Sequence, residues 1–367
     1  MNFLMNEDQR AIVDLASSVF ADHCADEQIQ RFWSASAPYD RTLWRSLAET
    51  GLLALVLPEE HGGSGLGMIE LAAVLECQGR HLAPVPLWTS QLVAATLAAF
   101  GGAEDKQHWL VELVSGGKLA TLSLAGILSG SGLALRAEQS GGGWSLRGRA
   151  AAVPLAQESA LALLPAKTSD GIRLFVIDLA VPGIEKTGGM MTHHEPAADL
   201  EFNGVSLPGA AALAVEAMQW LAPRAAACLG ALQLGVAGEA LKRGVAYTSE
   251  RIQFDHPIAT FQAISQKAAD CLIDVEALRS SLWQLTWRLD AGIEAEGAAG
   301  VVKAWACDTG HRVTHAVQHM HGGMGADTSY PIHRYTYWSR AIEVSCGGVS
   351  ANLDALGLWL TAAEVEL

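Results

Sequence analysis

Hydrophobic residues recur at spacings of three and four along most of the chain, which is the periodicity of amphipathic helices. Between Glu7 and about Gly117 this pattern is interrupted at residues 34–38, 58–63 and 84–86, where proline, glycine and serine accumulate. From Leu213 onward the same periodicity predicts four long helices, at about 213–249, 260–292, 297–320 and 338–363. Both ends of the chain are therefore predicted to be helical.

The stretch between Leu119 and Ala212 follows a different pattern. Short apolar runs such as IRLFVIDLA are separated by glycine, serine, aspartate and proline. That spacing is typical of a small antiparallel β-domain. The sequence thus predicts an α+β fold that is mainly α, with a helical N-terminal domain over residues 1–118, a middle β-domain over 119–212 and a C-terminal four-helix bundle over 213–367.

Net charge limits the classes of binding partner, and cysteine content indicates the cellular compartment. With 39 acidic and 24 basic residues the formal charge is -15, which argues against nucleic acid and anionic lipid, because both need clustered Lys or Arg. The six cysteines are scattered without a C-x-x-C pair, and this favours a reducing compartment. The N-terminus is acidic by position 7, unlike a signal peptide, and no segment suggests a membrane span, so we predict a cytoplasmic protein.

The most informative stretch is RIQFDHPIATFQAISQKAAD, from Arg251 to Asp270. It places an arginine three residues before a phenylalanine, turns at Asp255-His-Pro257 and then begins a long amphipathic helix. This stretch resembles the FAD-binding motif of acyl-CoA dehydrogenases. A second stretch, LPEEHGGSG from Leu57 to Gly65, resembles the loop that joins two helices beside the acyl pocket in that family. The resemblance covers essentially the whole chain and implies the same three-part fold.

The resemblance also implies which residues bind FAD. Arg251 would bind the pyrophosphate, because a guanidinium can bind phosphate oxygens bidentately, Phe254 would give the cofactor an apolar wall, and Gln262 would lie near the adenine. Gly322 and Gly323 match a family Gly-Gly pair at which another subunit's FAD approaches the backbone closely. We call these five residues the ADP-contact cluster.

Two family motifs for the flavin ring are absent from the predicted β-domain. A Thr-Glu-Pro run is replaced by Ser123-Leu-Ala-Gly126, and an aromatic-Ile-Thr or aromatic-Ile-Ser run is replaced by Ala150-Ala-Ala-Val-Pro154. These replacements remove hydroxyl and aromatic groups that would hydrogen-bond to the ring and stack on it. They argue against flavin-ring contact from this domain.

The glutamate that acts as catalytic base in this family is also missing. Its usual place, counted from Tyr330-Pro331, holds Cys346, and a second family location holds Pro223, just before the arginine matched by Arg224 on the substrate side. A buried thiol is a poor base. Glu343, three residues before Cys346, is the candidate for a surrogate base.

Three interpretations remain open. The retained and missing motifs resemble one subunit of the heterotetrameric (α2β2) steroid side-chain type, which would contribute the ADP side of the FAD site to a partner subunit that carries the base. The alternatives are a homotetramer that desaturates an acyl-CoA thioester with Glu343 as base, and a non-catalytic scaffold subunit without flavin. Histidines 315, 319 and 321 have no further ligand at metal spacing, so no metal is predicted.

Overall fold

The computed structural model describes residues 4–128 and 132–362. The contacts between these residues divide the chain into two compact units. The first comprises Met1–Arg31, Met68–Ala83 and Ala226–Leu367, and the second comprises Phe32–Gly67 and Pro84–Ala225. The predicted fold class is confirmed, because helices precede and follow a central sheet along the chain. The boundaries of three domains stay a prediction.

The first unit is helical. Its helices, two of which continue into the second unit, are α1 (Glu7–His23), α2 (Asp26–Ala35), α4 (Met68–His81), α7 (Glu216–Glu250), α8 (Gln262–Asp290), α9 (Glu296–His321), α10 (Ile332–Cys346) and α11 (Val349–Ala362). Helix α1 begins with a reciprocal pair of hydrogen bonds between Asn6 and Gln9. The Asp290 carboxylate at the end of α8 accepts hydrogen bonds from the first amides of α4, Met68 N at 2.6 Å and Ile69 N at 3.1 Å.

Two glycines allow α4 and α7 to pack backbone against backbone. A Cβ atom at Gly79 would lie 2.1 Å from the Leu232 carbonyl oxygen, and one at Gly235 would lie 2.0 Å from the Glu76 carbonyl oxygen. No other residue type fits at either position without moving a helix. Because the two backbones are in contact at this crossing, α4 and α7 have a fixed position relative to each other.

The prediction of a fourth helix at 338–363 is wrong in both its start and its continuity. The helix begins earlier, at Ile332, and ends at Cys346, and α11 follows after a turn. Gly347 and Gly348 form that turn with φ values of 96° and 82°, a conformation that ends a helix and favours glycine. The described part of the C-terminal region therefore has five helices rather than four, and position 363 lies outside the described residues.

The second unit combines helices with the sheet. Its helices are α3 (Arg41–Glu49), α5 (Leu87–Phe100) and α6 (Ala103–Val114), and its strands are β1 (Ala120–Leu122), β2 (Arg136–Ser140), β3 (Gly143–Pro154), β4 (Leu161–Thr168), β5 (Gly171–Asp178), β6 (Ile184–Met190) and β7 (Pro196–Leu207). The strand order is β1-β4-β2-β3-β7-β6, and β5 pairs with β4. Large buried side chains such as Leu146, Phe175 and Phe202 fill its core.

The predicted antiparallel sheet is contradicted at two of its strand pairings. Most pairs are antiparallel, but β1 runs parallel to β4, with Ala120 opposite Leu161, and β2 meets β4 in parallel at one residue pair. Strand β4 is buried from Leu161 to Ala166, as expected for a strand with neighbours on both edges. Strand β1 pairs in parallel because it enters the sheet directly from the preceding helical segment rather than through a hairpin.

Helix α7 is long and apolar enough to cross a membrane by length and composition. However, 78% of its most apolar window is buried inside the protein. That burial is typical of a core helix.

Candidate functional site

A short hairpin, which directly follows Arg251, carries Phe254 of the ADP-contact cluster. Its strands are β8 (Ile252–Gln253) and β9 (His256–Pro257), and its two turn residues, Phe254 and Asp255, have φ values of 54° and 66°. Two successive left-handed residues form the turn that suits a two-residue hairpin, although a bulky aromatic adopts this conformation only at an energetic cost. The Phe254 side chain is 85% exposed. The turn therefore holds an aromatic ring in solvent.

Arg251 and Gln262 flank this hairpin with free polar groups. Both are exposed, and neither side chain makes a hydrogen bond or ion pair with any residue that the structure describes. The Phe254 and Phe261 rings lie edge to face with centroids 6.2 Å apart. A free guanidinium beside an exposed aromatic pair is a suitable surface for a phosphate-bearing aromatic ligand.

The glycine pair lies where α9 ends. Gly322 has φ 57° and ψ -133°, a conformation that only glycine adopts readily, and no heavy atom lies within 4 Å of a Cβ placed on Gly322 or Gly323. The last turn of α9 is close to the first turns of α8, because His319 Nδ1 lies 3.4 Å from Lys267 Nζ. The structure thus brings the glycine pair to the end of the bundle at which α8 begins.

The three histidines near the end of α9 have separate surroundings. His321 is buried, stacks on Tyr247 with ring centroids 4.3 Å apart, and its Nδ1 lies 2.8 Å from the Val317 carbonyl oxygen; burial lowers its pKa. His315 Nε2 lies 3.4 Å from an Arg340 nitrogen. Over residues 4–128 and 132–362, no group of three or more His, Cys, Asp or Glu side chains is arranged to hold a metal ion.

Cys346, at the family's usual base position, is part of a buried polar network. It has no exposed surface, and a hydrogen bond with the Cys307 thiol, followed by burial, raises the pKa of the Cys346 thiol well above its usual value. The Asn352 amide donates to Cys307 Sγ at 3.6 Å and to the Cys346 carbonyl oxygen at 3.0 Å. A neutral, enclosed thiol cannot accept a substrate proton.

Glu343 is bound to a cation on its own helix. Its Oε2 accepts a hydrogen bond from Arg340 Nη1 at 2.5 Å and lies 3.8 Å from His311 Nδ1. The side chain is 17% exposed. This geometry is that of a structural ion pair, and the role of Glu343 as a base stays a prediction.

Arg224 and Pro223 lie in the first part of α7. The Arg224 guanidinium lies 3.8 Å from the centroid of the Trp220 ring, and its Nη1 donates to the Trp220 carbonyl oxygen at 2.8 Å. Pro223 lies inside the helix and has no side-chain group that could accept a proton. The substrate-side role of Arg224 stays a prediction.

At the two replaced motifs the sheet lacks the aromatic and free hydroxyl groups that would contact a flavin ring. Ser123 is buried, and its hydroxyl accepts a hydrogen bond from Ala125 N at 3.4 Å. In β3 the ladder with β7 is irregular between Ala150 and Val153, and the Asp199 carboxylate holds this bulge by accepting from Ala152 N at 2.8 Å. The bulge presents methyl groups where the family has an aromatic and a hydroxyl group.

The residues therefore fit one half of FAD and not the other. The ADP-contact cluster combines a free guanidinium, an exposed aromatic ring and a backbone without Cβ atoms at one end of the bundle, which suits an adenosine pyrophosphate. The runs Ser123–Gly126 and Ala150–Pro154 have neither the aromatic nor the free hydroxyl that a flavin ring requires. Sequence reasoning missed the Cys307–Cys346 pair and the Asp199 support of the bulge, because both join positions distant in the sequence.

Comparison with known proteins gives concordant matches. Models of the N-terminal and C-terminal domains of acyl-CoA dehydrogenases match residues 6–117 and 215–351. The chain is 34% identical over 367 residues to the acyl-CoA dehydrogenase FadE27 of Mycobacterium tuberculosis, covering 97% of this chain and 98% of that protein.

Two solved structures are similar over nearly their full length. The ChsE4-ChsE5 complex from Mycobacterium tuberculosis superposes with a TM-score of 0.94 and 34% identity, covering 100% of both chains. A variant of the Tcur3481-Tcur3483 steroid ACAD superposes with a TM-score of 0.92 and 38% identity, covering 97% of this chain and 98% of that one.

Proposed function

Because the chain belongs to the acyl-CoA dehydrogenase family of FAD-dependent oxidoreductases, we propose that it is one of two kinds of subunit in a heteromeric acyl-CoA dehydrogenase. In this assembly it contributes the ADP side of each FAD site to a second acyl-CoA dehydrogenase-like subunit. That second subunit supplies the flavin-ring pocket and the base. When bound, FAD supplies the hydride acceptor of the α,β-desaturation.

The observation that carries this proposal is the division of the family's functional groups. Groups directed outward are retained: Arg251 and Gln262 are exposed and free, and no atom of the described chain fills the space at Gly322 and Gly323. Groups that would act within the same subunit are replaced, because Cys346 is sealed inside the bundle and Pro223 has no acid–base group. A surface suited to a ligand that the chain does not itself enclose supports our proposal that another subunit completes the site.

Each residue of the cluster has a defined task in this arrangement. Arg251 binds pyrophosphate oxygens through two parallel N–H donors, and its charge offsets theirs. Phe254 covers an apolar face of the cofactor and excludes water from the phosphate contact, which strengthens it. Gln262 hydrogen-bonds the adenine edge, and Gly322 and Gly323 let the cofactor contact the backbone.

The similarity to two heteromeric assemblies supports a second subunit of the same fold, because both structures match this chain over almost its whole length. One of them is described as a steroid ACAD. From this description we propose the substrate class, an acyl-CoA thioester with a steroid-like acyl group. The scattered cysteines favour a reducing compartment, so we also propose a cytoplasmic location.

The experiment compares the chain expressed alone with the chain co-expressed with candidate second subunits from the same organism. We expect the chain alone to be colourless and inactive, and a co-purifying complex to be yellow and to reduce an artificial electron acceptor with an acyl-CoA. A yellow, active homomer would contradict the proposal and support the homotetramer that uses Glu343. A colourless complex would support the scaffold interpretation.

A further inference from the structure

A cavity of about 290 Å³ lies in the first unit, between the last turns of α1 and α4, the C-terminal half of α7 and the first turn of α10. No residue of the ADP-contact cluster lines it, and the proposed function makes no use of it. Its walls include apolar side chains, among them Ile29 and Leu82, and an unusual number of cations: Arg80, Lys242, Arg243 and Arg334.

The charge of this cavity is opposite to that of the chain. Four cations face two carboxylates, Asp26 and Glu239, so the lining carries a formal charge of +2 in a chain whose net charge is -15. His81 adds no charge, because burial, and then the neighbouring Arg80, lower its pKa. A local positive potential attracts small anions, which the rest of the acidic surface repels.

Two of the guanidinium groups are fixed in position. Arg243 donates to Asp26 Oδ2 at 2.8 Å and to Glu239 Oε1 at 3.1 Å. Arg334 is only 3% exposed, and its Nη1 donates to the Asp26 carbonyl oxygen at 2.9 Å. Placing an arginine charge this deep costs free energy unless other charges compensate it. The two side chains form a rigid cationic floor.

The other two cations are held loosely. Arg80 Nη2 lies 3.5 Å from Glu76 Oε1, and Lys242 Nζ lies 3.6 Å from Glu239 Oε2, both at the long end of ion-pair distances. Their side chains are 39% and 77% exposed, so they can turn toward a ligand at little cost.

An adjoining cavity of about 220 Å³ extends this one along α7. It shares Arg80, Glu239 and Lys242 with the first cavity. Its floor is the α7 backbone at Gly235 and Gly238, and no heavy atom lies within 4 Å of a Cβ placed on Gly238. The two cavities form one groove, which we call the cationic groove.

We propose that the cationic groove binds a small dianion: a phosphate group, either free or on a phosphate ester. The formal charge of +2 matches a dianion, and a tetrahedral phosphate can use several separate N–H donors at once, whereas a carboxylate is satisfied by one guanidinium. The apolar wall formed by Ile29 and Leu82 provides space for a short organic group on an ester. Arg243 and Arg334 form the floor, and Arg80 and Lys242 close over the anion.

The test is isothermal titration of the full chain, in the assembly in which it purifies, with inorganic phosphate and with glycerol phosphate. Ionic strength is held constant with chloride. Lys242→Glu and Arg80→Gln alter the two exposed cations, and Arg45→Glu is the matched control on α3, where the arginine is exposed and lines neither cavity. Circular dichroism confirms that each variant is folded.

We expect saturable binding of one anion per chain, weakened about 10-fold or more by either groove variant and unchanged by the control. Tighter binding of the ester would identify an organic phosphate as the ligand, and equal binding would identify free phosphate. An absence of saturable heat with both probes, or equal affinity in the wild type and both groove variants, would overturn the proposal. FAD content is measured in parallel and should not change, which separates this test from that of the proposed function.

Discussion

Replacement of Arg251 by alanine tests the assigned ADP contact at its most specific residue. In the described chain the Arg251 side chain is exposed and makes no hydrogen bond or ion pair. Its removal should therefore change the free energy of unfolding by no more than about 0.5 kcal/mol. Any loss of FAD then reports the lost contact rather than a damaged fold.

The magnitude follows from the type of contact. A bidentate, charge-assisted hydrogen bond between guanidinium and pyrophosphate contributes about 1.5–3 kcal/mol. At about 1.4 kcal/mol per factor of ten, this predicts a Kd for FAD that rises roughly 10- to 150-fold in the variant. Arg251→Lys keeps the charge but loses the planar pair of donors, so it should recover only part of this difference.

The assay is dialysis of the purified complex against FAD-free buffer, followed by titration with FAD and measurement of flavin absorbance and of subunit assembly. Arg45→Ala is the matched control, because it removes an exposed arginine from a helix outside the cluster. An unchanged Kd for Arg251→Ala, or equal losses in Arg251→Ala and Arg45→Ala, would refute the assignment. Dissociation of the complex without a change in FAD affinity would assign Arg251 to assembly instead.

Four further predictions concern single residues. Gly322→Ala forces a side chain into a φ of 57° and should release FAD and lower Tm, whereas Gly357→Ala, with open space at its Cβ and no positive φ, should do neither. Glu343→Gln should leave steady-state turnover within about twofold, since catalytic bases typically contribute about 10²–10⁴-fold and a loss of that size would favour the homotetramer. Cys346→Glu places a carboxyl group where no surface is exposed, so it should lower Tm without creating activity in the chain alone. Burial lowers the pKa of His321 from its ordinary value of 6.5, so below that pH the unfolded chain binds a proton that the folded chain does not. The urea midpoint of unfolding should therefore fall as the pH drops through this range, and it should fall less in His321→Phe.

The sequence predicted most of the helices because their apolar faces repeat at a local period. It placed the start of α8 within two residues. The turn predicted at Asp255-His-Pro257 lies instead at Phe254-Asp255, and His256-Pro257 forms the second strand of a hairpin that was not predicted. The prediction merged α10 with α11, because a turn of only two glycines hardly disturbs the apolar repeat on either side. It also missed the parallel pairing of β1 with β4, since partners 41 residues apart leave no local periodic signal (Ala120 opposite Leu161).

For the candidate site, too, local motifs predicted the exposed residues but not the contacts between positions distant in the sequence. The exposed residues of the ADP-contact cluster lie within short motifs, so the resemblance of those motifs to acyl-CoA dehydrogenases predicted Arg251, Phe254 and Gln262 as FAD contacts. The reason why Cys346 cannot act lies elsewhere in the chain, in the Cys307 thiol and the Asn352 amide that enclose it. The cationic groove likewise collects charges from α4, α7 and α10, and no local pattern brings these together.

The ratio of FAD to chains in the purified assembly decides whether this subunit forms only the ADP side of each FAD site. If this subunit supplies only the ADP side of each site, an α2β2 complex should hold two FAD, or one FAD for every two chains, and the isolated chain should hold none. Flavin absorbance, together with the mass of the intact complex, gives this ratio. One FAD for every chain, in either a homotetramer or the heteromer, would contradict the account, because each copy of this chain would then hold a flavin ring of its own.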